Sequence, residues 1–176
     1  MDIVLFEPEI PLNTGNIGRL CVCSGSRLHI IGQPGFSLEE SAVKRAGLDY
    51  WHRLDLTLHE DWSAFVDYAD SRASAVDQTD KSGHSQATIL LYTRFAQHVY
   101  SRHSYAPGDY LVFGRETTGL PEEIRESIRA RNPEHLLRIP VSGECRSLNL
   151  SNTVALVLYE SLRQQGFPGL IESFTD

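Results

Sequence analysis

Apolar residues along the chain recur in short runs: Ile3 to Phe6, Leu28 to Ile31, Thr88 to Tyr92 and Tyr110 to Phe113. Such runs are too short for helices and lack the strict alternation of a strand with one wet face. They predict strands covered on both sides, as in a parallel sheet. Weaker runs, Leu54 to Leu56, Ala73 to Val76 and Leu136 to Ile139, bring the expected total to six or seven strands. Helices are predicted between them: Asn13 to about Ser24, 38–46, Glu60 to Tyr68, Pro121 to Arg131, and Leu150 to Gln165. Pro121 suits a first helical turn, where Glu122 and Glu123 complement the helix dipole. In the last helix Leu150, Val154, Leu158 and Leu162 repeat every four residues and predict a core-facing stripe. Strands alternating with helices give an α/β domain over 1–169, followed by a short acidic tail over 170–176. The polar stretch 77–86 is expected to be a surface loop.

Composition narrows the class. Hydrophobic residues make up 41% of the 176 and charged residues 22%, as in a soluble globular protein. No apolar run approaches the ~18 residues of a membrane span. The opening MDIVLFEPEIP has no basic leader, so a cytoplasmic protein is expected. Cys21, Cys23 and Cys145 cannot all pair, and the first two sit in an apolar stretch where thiols act as small hydrophobes. No His or Cys cluster supports a metal site. The net charge of −7 weighs against nucleic acid unless arginines such as Arg94, Arg102, Arg115, Arg125, Arg129 and Arg131, with Lys44 and Arg45, gather on one face. A mixed solvated surface accounts for any one of them equally well.

Candidate chemistry concentrates at three joints following strands, where ligands of open parallel sheets collect. The first, Asn13-Thr14-Gly15-Asn16-Ile17-Gly18-Arg19, opens a helix. Its glycines allow close backbone approach, Asn13 can cap, and Arg19 can meet a phosphate or a developing oxyanion. A capped helix with an exposed arginine explains the same residues. The second, Val112 to Pro121, holds a polar loop bracketed by Gly114 and Gly119; it fits either a plain tight turn or a slot for a flat ligand. In the third, Ile139 to Asn152, capping accounts for one or two of Ser147, Asn149, Ser151 and Asn152 but hardly all four, which favours a functional loop.

Taken in order, NTGNIGR, FGRETTGLP and IPVSGECRSLNLSN resemble the three signature motifs of the SpoU branch of the SPOUT RNA methyltransferases. The likeness runs from Asp2 to about Gly169. The opening IVLFEPEIPLNTGNIGRLC, with Gly47-Leu48-Asp49-Tyr50, is similar to the minimal subgroup that methylates the 2′-OH of the wobble cytidine or uridine, position 34, in tRNA. The resemblance implies a Rossmann-like parallel sheet with helices on both faces and a C-terminal deep trefoil knot, the knot being something no general rule would propose. It implies S-adenosylmethionine as methyl donor with no metal, held by Tyr92, Thr93, Gly114, Glu116, Ile139, Ser147 and Leu148. Arg19, Asn149 and Ser147 are the implied catalytic residues, and Arg19, Arg94 and Tyr159 the implied RNA contacts. It further implies a homodimer, formed through the knot region and the first and last helices, that acts on the anticodon stem-loop. Where the subgroup carries a Thr-Thr-Lys run, this chain has Tyr92-Thr93-Arg94-Phe95, so Arg94 supplies the charge one position early.

Other readings of the same motifs are a SpoU-type enzyme acting at a different tRNA position or on rRNA, and a non-catalytic RNA-binding relative. Retention of Arg19 and Asn149 disfavours the latter. A nucleotide-dependent dehydrogenase would need a GxGxxG fingerprint that the chain lacks.

Overall fold

The computed structural model describes residues 1–38, 51–77 and 87–171. Seven strands form one sheet: β1 (Asp2–Phe6), β2 (Arg27–Ile31), β3 (Leu56–His59), β4 (Ile89–Tyr92), β5 (His98–Val99), β6 (Tyr110–Phe113) and β7 (Leu136–Arg138). Their order is β3-β2-β1-β6-β4-β7-β5, and every pairing between them is parallel. Among the described residues three α-helices lie between strands, α1 (Pro11–Ser24), α2 (Trp62–Asp77) and α3 (Glu122–Arg131), and a fourth, α4 (Leu150–Gln164), follows β7.

The continuous apolar runs mark the central strands because both faces of the sheet are covered. From β1, Ile3 and Leu5 point to one side, where they meet Ile17 and Cys21 of α1 and Val154, Val157, Leu158 and Leu162 of α4. Val4 and Phe6 point to the other side, against Phe65 and Ala69 of α2 and Ile124 and Ile128 of α3. The strands β1 to β3 step outward in one direction. Each of the last two strands then slots between strands laid down earlier, β6 between β1 and β4, and β7 between β4 and β5. That reversal leaves a crevice at the carboxyl ends of β6, β4 and β7, the place an open parallel sheet offers a ligand.

Several expectations are corrected. Residues Ala73 to Val76 are helical, not a strand: they continue α2, since a four-residue apolar run carries no periodicity of its own. The strand expected at Leu54 to Leu56 lies at Leu56–His59, where pairing with β2 sets its register. The two-residue edge strand β5 was not anticipated. The helix start expected at Asn13 falls at Pro11 instead, and Ile10 makes no side-chain cap. The helix predicted over 38–46, nearly all of the loop over 77–86 and most of the acidic tail lie outside the described residues. Among the described residues, no helix is long and apolar enough to cross a membrane, and no group of three His, Cys, Asp or Glu side chains could hold a metal ion.

One buried polar cluster sits inside the α2 side of the sheet. His29 is fully buried, its Nδ1 3.0 Å from Nε2 of His59, with Phe65, Tyr68 and Tyr110 around its ring. Its Nε2 has no hydrogen-bond partner and lies 4.0 Å from the Asp2 carboxylate, which Arg27 holds through two bonds of 2.8 and 2.7 Å. Burial pulls the His29 pKa from 6.5 down to about 4, outweighing the attraction of Asp2, and burial lowers that of His59 as well. The unfolded chain therefore binds protons here before the folded one does. Stability is full above about pH 6.5 and is lost as pH falls toward 4, by up to about 3 kcal/mol for His29. We predict a falling melting temperature from neutral pH to about pH 5, with a shallower slope in His29→Phe; equal slopes in calorimetry would contradict this assignment.

Candidate functional site

The three sequence joints meet through one carboxylate. Glu116, just after β6, accepts hydrogen bonds from the backbone N–H of Glu9 (2.8 Å) and of Ile10 (3.2 Å) and from Nδ2 of Asn13 (3.0 Å). A carboxylate only accepts, so Asn13 must turn its NH2 toward Glu116 and its carbonyl away. That carbonyl accepts from Nδ2 of Asn149 at 3.0 Å. The Oδ1 of Asn149 in turn caps α4, accepting from Ser151 N (2.9 Å), Ser151 Oγ (2.7 Å) and Asn152 N (3.3 Å). Asn13 is 4% exposed. It does not cap α1, as its position in the sequence suggested; it bridges the first joint to the other two.

A second strap runs beside the first. The Glu9 carboxylate accepts from the backbone N–H and the hydroxyl of Thr117, and Arg115 pairs with Glu7 while lying over the Phe6 ring. The loop between them is folded tightly back: Arg115 and Gly119 exchange backbone hydrogen bonds, and Gly119 has a positive φ of 74°. Gly114 is the tightest point. A Cβ there would sit 2.2 Å from the backbone carbon of Gly119 and 2.3 Å from the backbone nitrogen of Leu120, which no side chain can occupy.

These loops enclose a cavity of about 480 Å3, within the usual size of a small-molecule site. Tyr92, Thr93, Arg94, Gly114, Glu116, Ile139, Ser147, Leu148 and Asn149 all line it. The Tyr92 ring stacks on Phe113 with centroids 4.7 Å apart, and its hydroxyl donates to Tyr105, so it forms a fixed floor rather than a reactive group. Thr93 extends the sheet, donating its N–H to Leu137 O at 2.9 Å. Arg19 and Tyr159 do not line the cavity. Arg19 lies on the exposed face of α1, and Tyr159, 43% exposed on α4, lies above Phe167 in a separate shallow depression.

The lining also contains residues that pattern did not single out. Arg138 and Arg146 join Arg94 and Arg115, so the chain's net charge of −7 hides a cavity with four guanidinium groups and one carboxylate. Phe95 stands at the same rim. No local spacing relates Arg138 to Arg146; only the fold brings them together.

The SpoU rRNA Methylase family matches residues 1–159. The chain belongs to this family. Its similarity to individual SpoU-family relatives extends over nearly the whole length. It is 45% identical over 171 residues to a tRNA (cytidine(34)-2′-O)-methyltransferase of Methylovorus glucosotrophus, covering 97% of this chain and 99% of that one. It is 43% identical over 171 residues to the enzyme of the same name from Escherichia coli (strain K12), covering 97% and 98%. Among solved structures, one from work on the 2-OH methylation of C/U34 on tRNA superimposes with a TM-score of 0.75 at 37% identity, covering 94% of this chain and 95% of that chain.

In this SpoU-family fold the Glu116–Asn13–Asn149 chain holds the cavity walls in register, so its loss should loosen the loops before it harms the core. Asn13→Ala leaves Asn149 and Glu116 each short of a partner and should cost about 1–3 kcal/mol. Asn13→Asp should be worse at pH 8, because it sets a second carboxylate about 3 Å from Glu116. The difference in melting temperature between the two variants should shrink as pH falls to about 5, where the pair can share a proton. A pH-independent difference would show that Asn13 does not face Glu116.

Proposed function

We propose that this chain is an S-adenosylmethionine-dependent tRNA 2′-O-methyltransferase that methylates the ribose of the wobble cytidine or uridine, position 34, of the anticodon. The observation that carries this reading is the end-to-end similarity to two tRNA (cytidine(34)-2′-O)-methyltransferases, joined to a cavity that all three motifs build.

The cavity fits the donor. It has apolar walls from Leu120, Ile139 and Leu148, polar groups from Thr93 and Ser147, and room for a folded molecule of that size. Bound there, S-adenosylmethionine supplies a methyl group already activated by its sulfonium charge. Gly114, Ile139 and Leu148 border it, Glu116 fixing the loop of Gly114 directly and that of Leu148 through Asn13 and Asn149. Asn149 is locked by its bonds to Asn13 and to the start of α4, so its remaining polar capacity is presented in a fixed direction. Ser147 lies beside it on the same loop and would orient the ribose hydroxyl. Arg19 is the cation of this mechanism. A guanidinium is a fixed cation with donors only, so it stabilises the developing alkoxide while the hydroxyl proton passes to solvent water.

Arg19 lies outside the cavity of its own chain, which supports a homodimer in which the partner subunit's Arg19 completes each site. The exposed side of α1 and α4 offers such an interface: Leu12 is 64% exposed, and Leu156 and Tyr159 are exposed on α4. The reading also includes the trefoil knot. Its support is the insertion of β6 and β7 between earlier strands and the return of the Ile139–Asn149 loop over the cavity. The substrate is the anticodon stem-loop, and the compartment is the cytoplasm.

Purified protein should transfer methyl groups to tRNA lacking wobble 2′-O-methylation, with the modified ribose located by mass spectrometry of nuclease fragments. Arg19→Ala should lose about 100-fold or more in kcat and still bind the donor. Methylation at another nucleotide would overturn the target; wild-type turnover by Arg19→Ala would remove that residue from the mechanism. A monomer by light scattering would overturn the shared site.

A further inference from the structure

At the cavity rim, Arg94 and Phe95, which line it, form a cluster with Arg125, which does not. Phe95 is 52% exposed, and the guanidinium carbons of Arg94 and Arg125 lie 4.8 and 4.4 Å from its ring centroid. Arg94 and Phe95 follow β4, whereas Arg125 comes from α3. The ring is firmly based. Its neighbour Ala96 is buried in the core, and a tight turn on Thr93 holds the segment, with Phe95 N donating to Thr93 Oγ1 and Ala96 N to Thr93 O, both at 3.3 Å.

We propose that Arg94, Phe95 and Arg125 form a docking site for one nucleotide of the RNA, the neighbour of the methylated one. Its base stacks on the ring and guanidinium planes, and its phosphate lies against the two cations. This rests on the RNA methyltransferase reading above.

Electrostatics supports it first. Two like charges are drawn to one ring, and among the described residues neither Arg94 nor Arg125 makes an ion pair. Glu126, the acidic residue next to Arg125, pairs with Arg129 instead. Arg125 Nε is buried with no hydrogen-bond partner. Cation–π attraction at an exposed ring offsets only part of such crowding. The phosphodiester of that nucleotide would supply the missing counter-charge. Arg138 and Arg146, also without ion pairs among the described residues, extend the positive surface inward along the cavity.

Shape supports it second. The guanidinium groups lie over the Phe95 ring, and the ring holds them as planar platforms of the kind that unstacked bases pack against in single-stranded RNA recognition. An acidic peptide would satisfy the charges but leave the flat face without a function. Any ribose entering the cavity must also bring its neighbours past this rim, since Arg94 and Phe95 line the same opening as Ser147 and Asn149.

The test measures methyl transfer to an anticodon stem-loop RNA, intact or abasic at the nucleotide immediately 5′ or 3′ of the methylated one. Phe95→Leu, which keeps apolar bulk without a π-face, should raise KM for RNA about tenfold, while kcat and donor affinity by calorimetry stay within about twofold. Phe95→Trp should restore KM. One of the two abasic RNAs should raise KM for the wild-type chain and leave it unchanged for Phe95→Leu, because both changes remove the same contact. Arg125→Gln should reduce the salt dependence of KM. If Phe95→Leu does not fold, Arg125→Gln carries the same coupling measurement. An unchanged KM in Phe95→Leu, or strictly additive losses with both abasic RNAs, overturns the proposal. No methyl transfer by the wild-type chain to any tRNA overturns this proposal and the proposed function together.

Discussion

The geometry of the site depends on the three hydrogen bonds that converge on Glu116. Loops at the ends of parallel strands have no ladder of their own, and three of them here must stand in fixed relation to leave a ligand-sized gap. Glu116 supplies that relation by gathering two backbone N–H groups from the segment between β1 and α1 and one side-chain amide from the first turn of α1. Because it can only accept, the orientation of Asn13 follows, and with it the partner of Asn149 and the cap of α4. One carboxylate thus sets the direction of residues more than a hundred positions away in the chain.

The strand order explains why such a latch is needed. Had β6 and β7 added at an edge, each new loop would have packed beside its predecessor. Instead both are inserted between earlier strands, so the loops after β4, β6 and β7 crowd into one crevice. Crowding is tolerated because Gly114 removes a side chain where the backbone folds back to within touching distance of itself. A Cβ at that point would push Gly119 and Leu120 away and open the loop that carries Glu116.

The sheet was legible in the sequence where burial on both faces enforces unbroken apolar runs, as in β1, β2, β4 and β6. It was not legible where neighbours decide the outcome. Ala73 to Val76 carries too little pattern to distinguish strand from helix, and the helix already running from Trp62 absorbs it. His98–Val99 is a strand only because β7 pairs with it. For the site, the family resemblance named nine of the lining residues, but Asn13 looked like a cap because an amide before a helix usually is one. Its bridging role becomes visible only when residue 149 is known to lie beside it. Arg125 and Phe95 were invisible as a pair for the same reason: thirty positions of chain separate them, and only the packing of α3 against the sheet joins them.

Charge shows the same separation between composition and placement. A chain of net charge −7 repels polyanions at long range, yet it carries Arg94, Arg115, Arg138 and Arg146 around one opening. Long-range repulsion is screened within about 10 Å at ordinary ionic strength, so contact chemistry dominates once the substrate arrives. Arg115 is committed to Glu7 and serves the loop, which leaves the others for an anionic ligand. Arg19 belongs to neither group: it faces outward from α1 on the side where Leu12, Leu156 and Tyr159 leave apolar surface exposed. Under the mechanism proposed above, a cation carried on that outer face reaches a cavity most directly across a subunit boundary. Dimerisation would then be a condition for assembling the site, and the exposed apolar face the surface that pays for it.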